Sequence, residues 1–170
     1  MDSKKALLIV NPCAGRNNKR LGALEIVKKF SSPEWETDIR TTRCQGDATT
    51  IVKQEGENYD VILCCGGDGT LNEVINGLMK IGKKVPVGYI PSGSTNDLAN
   101  TLGIPTELGA AADLIQSGKK KSYDLGTLDG KFFTYIASFG IATDLSYSTP
   151  QKLKNMFGHA AYMINGLVIR

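Results

Sequence analysis

One stretch of the sequence, Asp60 to Leu78 (DVILCCGGDGTLNEVINGL), constrains the fold more than any other. Its first part, Val61 to Cys65, is an unbroken apolar run with the length and composition of a strand buried on both faces. The apolar residues that come later recur at helical spacing, at Leu71, Val74, Ile75 and Leu78. The stretch therefore predicts a buried strand, a glycine-rich turn and a helix that begins directly after the turn.

The glycine-rich turn, Gly66, Gly67 and Gly69, has a chemical use. Glycine lets the backbone approach a ligand closely, and the N–H groups at a helix start attract phosphate. Asp68 lies at the tip, where its carboxylate can hold a divalent cation, accept a hydrogen bond or fix the loop. The structural alternative is an ordinary helix start, with Thr70 as the cap and Asp68 as a turn residue. The full GGDGTLNE string is more specific than a glycine turn alone and favours a site for nucleotide phosphates.

Two common phosphate-binding motifs are excluded by the residues present. The sequence contains no G-x-x-x-x-G-K-[ST], so it is not a P-loop protein. Gly67 and Gly69 begin a G-x-G-x-x-G pattern, but position 72 is Asn, so the dinucleotide fingerprint fails.

Composition argues against several classes of protein: nucleic-acid-binding, membrane-spanning, secreted and zinc-binding proteins. A net charge of +3 without aromatic residues interleaved in a basic stripe argues against nucleic acid as a partner. The apolar runs are far too short to span a membrane, and residues 1–20 lack a signal-peptide core, which indicates a cytoplasmic protein. The four cysteines show no zinc-binding spacing and are expected to be reduced and mainly structural: Cys13, Cys44, Cys64 and Cys65.

Strands and helices alternate along the first part of the chain. The predicted strands are Lys5–Val10, Trp35–Thr42, Val61–Cys65 and Val85–Ile90. The predicted helices run from about Asn18 to Phe30, from a cap at Asp47 to Glu55, from Thr70 to Leu78, from Leu98 to Leu102 and from Leu108 to Ile115. This rhythm predicts an α/β fold with a mostly parallel sheet flanked by helices. Ligands bind such sheets beyond the carboxyl ends of the strands, where NPCAG, Thr42 with Gly46-Asp47, GGDGT and PSGSTND all lie.

The pattern changes after Ser122. Tyr123–Leu128 and Phe132–Ser138 read as paired strands around Asp129-Gly130, a hairpin dipeptide. A helix can start at Pro150, and the chain then stops at Arg170 inside a structural element. The sequence therefore predicts a nucleotide-binding domain at residues 1–122 and the truncated beginning of a second, β-rich domain at residues 123–170.

With these motifs, the chain resembles the N-terminal half of the bacterial diacylglycerol kinase-type lipid kinases. That family includes sphingosine and ceramide kinases, and its nucleotide domain is similar to those of NAD kinases and phosphofructokinases. The resemblance rests on NPCAG, GDAT at Gly46 to Thr49, GGDGTLNEVINGL, IPSGSTNDLANTLGIP and the later FGIATDLSYSTPQKLKNMFGHAAYMINGL. NAD kinases share GGDGT but not the later stretch, which favours the lipid-kinase branch.

The resemblance implies ATP and Mg²⁺ as cofactors. The positions that match nucleotide-contacting positions of the family are Asn11, Pro12, Cys13, Ala14, Gly15, Thr42, Gly66, Gly67, Asp68, Gly69, Thr70, Leu71, Asn72, Glu73, Ser94 and Asn96. Asp68, Asp97 and Asp124 match acidic positions associated with a magnesium–water network near the phosphates. Structural alternatives remain for two of these acids: Asp97 can cap the helix at Leu98, and Asp124 can be a polar residue at a strand end.

The resemblance also implies what the chain lacks. The family continues into a second domain that completes the lipid cleft and carries the general base, so the base is expected beyond residue 170. His159, the only histidine, is expected to be a packing or surface residue. The chain alone is then expected to be inactive and to self-associate as a homodimer, while the intact kinase phosphorylates diacylglycerol or a similar lipid at the inner membrane face. Two alternatives stay open: a soluble-substrate kinase of the NAD kinase type and a non-catalytic nucleotide-binding regulator.

Overall fold

The computed structural model describes residues 3–15, 22–118 and 120–134. The strands are β1 (Lys4–Val10), β2 (Trp35–Thr41), β3 (Val61–Gly66), β4 (Val87–Pro91), β5 (Gly126–Leu128) and β6 (Lys131–Phe133). The helices are α1 (Gly22–Lys29), α2 (Asp47–Glu55), α3 (Asp68–Leu78), α4 (Asp97–Leu102) and α5 (Leu108–Ser117). A short 3₁₀ turn, Gly56–Asn58, leads from α2 towards β3.

The first four strands form one parallel sheet in the order β2-β1-β3-β4. The chain leaves β1 for β2 on one side and then crosses to β3 on the other side, so the direction of winding reverses between β1 and β3. In open parallel sheets the crevice beyond the carboxyl ends of the strands at such a reversal is where ligands bind. The predicted α/β fold with a mostly parallel sheet is confirmed.

Alternate residues of the strands pack into two cores, one on each face of the sheet. The first core combines residues of α2, α3 and α4 with Leu7, Ile9, Ile62, Cys64 and Tyr89. The second core combines residues of α1 and α5 with Ala6, Leu8, Leu63, Cys65 and Ile90. Because helices cover both faces, the apolar run of β3 is continuous rather than alternating.

Helices α2 and α3 pack closely because Gly77 has no side chain. A Cβ at Gly77 would lie 2.7 Å from Val52 Cβ and 2.9 Å from the carbonyl oxygen of Thr49. At the same contact, Thr49 Oγ1 donates a hydrogen bond to the Glu73 carbonyl at 2.8 Å. The packing at Gly77 thus holds the carboxyl end of α3 against the middle of α2, and the Thr49 bond joins the middle of α3 to the start of α2.

The predicted hairpin is present. Strands β5 and β6 pair antiparallel around Asp129 and Gly130, whose φ angles of 47° and 71° are those of a type I′ turn. The first strand is shorter than predicted, beginning at Gly126. The predicted extension to Ser138, the predicted helix from Pro150 and His159 lie outside the described residues.

Several element boundaries differ from the prediction. Asp47 was predicted to cap α2, which is wrong: Gly46 is the N-cap residue, and Asp47 is the first helical residue, with its carboxylate accepting from Arg43 N. The fourth strand starts at Val87 rather than Val85, since Pro86 has no N–H to contribute to the ladder. The predicted start of the first helix at Asn18 lies outside the described residues. In the described part of the chain, no helix is long and apolar enough to cross a membrane.

Candidate nucleotide-phosphate site

The loop after β1 is tied to the start of α3 at the reversal point of the sheet. Asn11 Nδ2 donates to Thr70 Oγ1 at 2.9 Å, and Asn11 Oδ1 accepts from the Cys13 N–H at 2.9 Å. The Asn11 N–H donates to the Cys65 carbonyl at 2.9 Å. The Thr70 hydroxyl therefore binds Asn11, and Thr70 is not the helix cap that the structural alternative proposed.

Two glycines, Gly66 at the end of β3 and Gly93 in the turn after β4, leave no space for a side chain. A Cβ at Gly66 would lie 2.5 Å from Thr70 Cβ, and a Cβ at Gly93 would lie 2.5 Å from Gly67 Cα. The turns that follow β3 and β4 are therefore in direct backbone contact. Gly69 differs, because a Cβ there would meet nothing within 4 Å. The first turn of α3 is thus open on the side of Gly69.

Asp68 caps the neighbouring helix α4. Its Oδ2 accepts from the Asp97 N–H at 3.0 Å and from Thr95 Oγ1 at 3.2 Å, and its Oδ1 accepts from the Leu98 N–H at 3.2 Å. The N-cap residue of α4 is Asn96, with φ of 52° and no cap bond from its own side chain. The alternative that Asp97 caps this helix is wrong, since the capping carboxylate comes from Asp68, across the sheet edge.

Glu73 performs the same role for α2. Its Oε1 accepts from the Gly46 N–H at 2.8 Å and its Oε2 accepts from the Ala48 N–H at 3.3 Å. Helix α5 is capped locally, by Glu107. Carboxylates thus cap α2, α4 and α5, and α3 supplies two of them, yet the α3 N-cap residue, Gly67, makes no side-chain cap bond. In the described part of the chain no side chain caps the N–H groups of the first turn of α3, and the carboxylate in that turn, Asp68, is bonded to α4.

Two ionisable groups lie in the core beneath the turn. Burial, with the nearby Asp68 charge second, raises the pKa of Tyr89, whose hydroxyl lies 3.5 Å from Asn96 Oδ1. Burial also raises the pKa of the Cys64 thiol well above its ordinary value. Both groups stay protonated at neutral pH, so neither adds negative charge that would repel an anion.

The other predicted contact residues have varied environments. Thr42 is buried, and its N–H donates to the Val10 carbonyl at 2.9 Å. Ser94 is exposed in the turn after β4. Asn96 is buried and braces that turn, because its Oδ1 accepts from the Gly93 N–H at 2.9 Å and its Nδ2 donates to the Gly93 carbonyl at 3.1 Å. Leu71 points into the core, whereas Asn72 Oδ1 is buried with no hydrogen-bond partner.

The remaining residues of the loop after β1 follow Asn11 directly. Pro12 and Cys13 are exposed, Ala14 is half-buried, and Gly15 has a left-handed φ of 71°. No disulfide joins any of the four cysteines, of which Cys64 and Cys65 are buried and Cys13 and Cys44 are exposed. The loop therefore offers backbone groups and small side chains at the carboxyl edge.

The three acids matched to magnesium binding are not assembled into one cluster. Asp97 lies beside Asp68 through the bond from its backbone N–H, while Asp124 is exposed in the segment that precedes β5. Within residues 3–15, 22–118 and 120–134, no group of three or more His, Cys, Asp or Glu side chains is placed to hold a metal ion. The magnesium assignment of these residues stays a prediction.

Sequence reasoning missed Gly93 and Thr95, which organise this edge, and Asn76, which lies further along α3. Gly93 and Thr95 lie in the PSGSTND cluster, so the cluster itself was the available signal. Asn76 bonds to Phe132, 56 positions away, and no local pattern signals such a partner.

The similar proteins found by comparison are named diacylglycerol kinase. The diacylglycerol kinase of Bacillus subtilis (strain 168) is 40% identical over 166 residues, which cover 96% of this chain and 55% of that protein. The diacylglycerol kinase of Staphylococcus saprophyticus is 38% identical over 164 residues, covering 96% of this chain and 54% of that protein. A crystal structure of a diacylglycerol kinase from Bacillus anthracis str. Sterne matches with a TM-score of 0.71 and 34% identity, over 78% of this chain and 46% of that one.

The chain thus spans about half the length of the curated relatives it matches. The predicted division into residues 1–122 and 123–170 stays a prediction. Residues 5–128, from β1 to the last residue of β5, match the diacylglycerol kinase catalytic domain. By these residues, and by the fold and turns described above, the chain belongs to the diacylglycerol kinase catalytic domain family.

Proposed function

We propose that this chain forms the ATP-binding part of a kinase that transfers the γ-phosphoryl group of ATP to the hydroxyl of diacylglycerol or a related lipid. The observation that carries the proposal is the uncapped amino end of α3 beside a turn where only glycine fits. A helix start of this kind attracts phosphate through its N–H groups and its dipole. The relatives named diacylglycerol kinase support the choice of acceptor.

The phosphates of ATP would lie against the backbone from Gly67 to Thr70. Gly69 leaves open space there, so a phosphate can approach the N–H groups without meeting a side chain. The rest of the nucleotide would extend over the loops after β1 and β2, at Asn11 to Gly15 and at Thr42. These loops share the carboxyl edge of the sheet with the glycine turn.

Mg²⁺ would be held mainly by oxygen atoms of the ATP phosphates and of water, with one or two carboxylates of the protein. Asp68 accepts three hydrogen bonds, so about one of its roughly four acceptor positions stays available. Mg²⁺ commonly binds through one or two carboxylates together with substrate phosphates and water, which fits Asp68 with Asp97 or Asp124 better than it fits a preformed cluster. When bound, the ion would neutralise charge on the transferred phosphoryl group. The residues of this chain would position the nucleotide.

The lipid acceptor would reach the site from a membrane surface. The general base is proposed to lie outside these 170 residues, so the chain alone would bind nucleotide without catalysis, because phosphoryl transfer depends on positioning both reactants. Self-association as a homodimer stays a prediction.

Calorimetry with MgATP on the chain and on Gly69→Ala tests the location of the phosphates. The added methyl projects into open space, so it should leave the fold intact and weaken ATP binding about tenfold or more by blocking close approach. Gly82→Ala is the matched control, since Gly82 lies in an exposed turn and its Cβ would have ordinary contact only with Glu57 at 3.5 Å. Equal ATP affinity in wild type and Gly69→Ala, or no binding by the folded chain, would refute this location.

Acceptor assays separate the proposed activity from its alternatives. Phosphorylation of diacylglycerol by the protein in its natural length supports the lipid kinase. Phosphorylation of NAD⁺ without any lipid phosphorylation would instead support a soluble-substrate kinase. ATP binding without phosphorylation of either acceptor would support a nucleotide-binding regulator.

A further inference from the structure

The side-chain amide of Asn76 binds both backbone polar groups of Phe132. Asn76 Nδ2 donates to the Phe132 carbonyl at 2.8 Å, and Asn76 Oδ1 accepts from the Phe132 N–H at 3.0 Å. Nδ2 also donates to the Asn72 carbonyl within α3 at 2.9 Å. The partners settle the orientation of the amide, because two carbonyls require both hydrogens of Nδ2 and the N–H requires the oxygen.

These bonds lie on the outer edge of the hairpin. Leu128 and Lys131 flank the two-residue turn and form a hydrogen-bonded pair, so the next pair, Thr127 and Phe132, is of the non-hydrogen-bonded kind. In such a pair the N–H and C=O groups point away from the partner strand. Asn76 therefore satisfies an edge position of β6 in the way that an added strand would.

The helix that carries Asn76 also carries the proposed phosphate site. Asn76 follows Asp68 by eight residues on α3, which places it about 12 Å along the helix axis from the turn. A helix of this length is stiff, so a bond to Asn76 sets the position of the hairpin relative to the turn. Within the described residues, Asn76 makes the only side-chain hydrogen bonds between α3 and the hairpin.

We infer that Asn76 is a positioning residue that holds the β5–β6 hairpin in register with the nucleotide-phosphate turn. This inference rests on the proposed function for the identity of the turn's ligand. Its first consequence, that the hairpin depends on the Asn76 amide for its placement, does not depend on ATP. Its second consequence is that Asn76 acts on phosphoryl transfer and leaves nucleotide affinity unchanged.

Amide hydrogen exchange on the chain tests the first consequence. In Asn76→Asp at pH 7.5 the carboxylate still accepts from the Phe132 N–H, but it cannot donate to the carbonyls of Phe132 and Asn72 and its oxygen repels them. The hairpin should therefore move away, and the protection factor of the Phe132 N–H should fall about tenfold. Near pH 4, close to the ordinary pKa of an aspartic acid, the carboxyl gains a proton that can donate again, and protection should return to within about threefold of wild type. Asn76→Ala should lose protection at both pH values.

Gln54→Glu is the matched control, because it makes the same amide-to-carboxyl change at an exposed position of α2. It should leave the Phe132 N–H unchanged at both pH values, and the amides of β1 and β3 should stay protected in every variant. Unchanged protection in both Asn76 variants would overturn the inference. Recovery of Asn76→Ala near pH 4 would also overturn it, since alanine has no proton to regain.

Kinetics test the second consequence. For lipid phosphorylation by the protein in its natural length, Asn76→Asp should lower kcat about tenfold at pH 7.5 while KM for ATP stays within about twofold. A raised KM for ATP with unchanged kcat would overturn the positioning role. Failure of the wild-type chain to bind MgATP would refute the proposed function instead, and the exchange results would still stand.

Discussion

The carboxylate of Asp68 accepts a hydrogen bond from the backbone N–H of Asp97 at 3.0 Å, which ties the first turn of α3 to the first turn of α4. The same pattern recurs along α3. Thr70 binds Asn11, Glu73 binds the start of α2, and Asn76 binds β6. Four polar side chains of one helix thus attach four different segments to α3.

Removal of the Asp68 carboxylate should destabilise the fold and disturb the site together. Asp68→Ala takes away the acceptor of the α4 N–H groups and should lower the free energy of unfolding by about 1–2 kcal/mol. Asp68→Asn keeps an acceptor but loses the charge at the helix end, so about 0.5–1 kcal/mol is expected. Urea unfolding at pH 7 measures both, and MgATP affinity should weaken in Asp68→Ala.

Glu34→Ala serves as the control for Asp68, because it removes an acid of the same charge from an exposed loop. Its effect on the free energy of unfolding should stay within about 0.5 kcal/mol. An Asp68→Ala protein as stable as wild type would contradict the capping role.

The backbone contact between the turns after β3 and β4 should not tolerate a methyl group. In Gly93→Ala the new Cβ would lie 2.5 Å from Gly67 Cα and 2.8 Å from Asn96 Oδ1, so the two turns must separate. A loss of about 1–3 kcal/mol in the free energy of unfolding is expected, as for other overpacked sites. Gly69→Ala should be neutral or slightly stabilising, since its Cβ enters open space on a helix. Equal stability of the two variants would contradict this difference.

The contact between α2 and α3 at Gly77 can be tested with a double mutant. Gly77→Ala should destabilise the protein by about 1–3 kcal/mol, although alanine favours helix by about 1 kcal/mol, because its Cβ would lie 2.7 Å from Val52 Cβ. Val52→Ala keeps the Val52 Cβ but removes Val52 Cγ1, which would lie 3.0 Å from the new methyl group, so in the double mutant the second substitution should cost somewhat less than it does alone. Thermal or urea unfolding of the four proteins gives the coupling energy, and strict additivity would contradict the predicted contact.

The cap of α5 should make a pH-dependent contribution to stability. Hydrogen bonds from the backbone N–H groups of Ala110 and Gly109 lower the pKa of Glu107. Because the folded pKa is lower than the unfolded one, the stabilisation is present above the unfolded pKa of about 4.3 and is lost as pH falls through the folded pKa. Wild type should therefore exceed Glu107→Gln in stability at pH 7, and the difference should shrink at pH 3. Urea unfolding of both proteins at pH 7, 5 and 3 checks this, and a constant difference would contradict it.

Several structural elements of this protein could be predicted from its sequence, because each depends on a few neighbouring residues. The buried run of β3 and the apolar spacing of α3 each describe a few neighbouring residues, and the structure confirms both. The glycine turn is shorter than predicted, because Gly66 ends β3 and α3 begins at Asp68 rather than Thr70, so Gly69 lies in the helix. The Asp129-Gly130 dipeptide likewise predicted its own turn, because the required positive φ angles belong to those two residues.

Only the tertiary structure decided what the polar side chains of α3 do. Asp47 and Asp97 have the composition and position of local caps, yet the capping carboxylates come from Glu73 and Asp68, 25 to 30 residues away. The sequence by itself determined where a phosphate-binding turn can form, since that depends on neighbouring residues. The parallel sheet determined which loops meet there, because it brings the carboxyl ends of distant strands to one edge, within hydrogen-bond distance of a single helix.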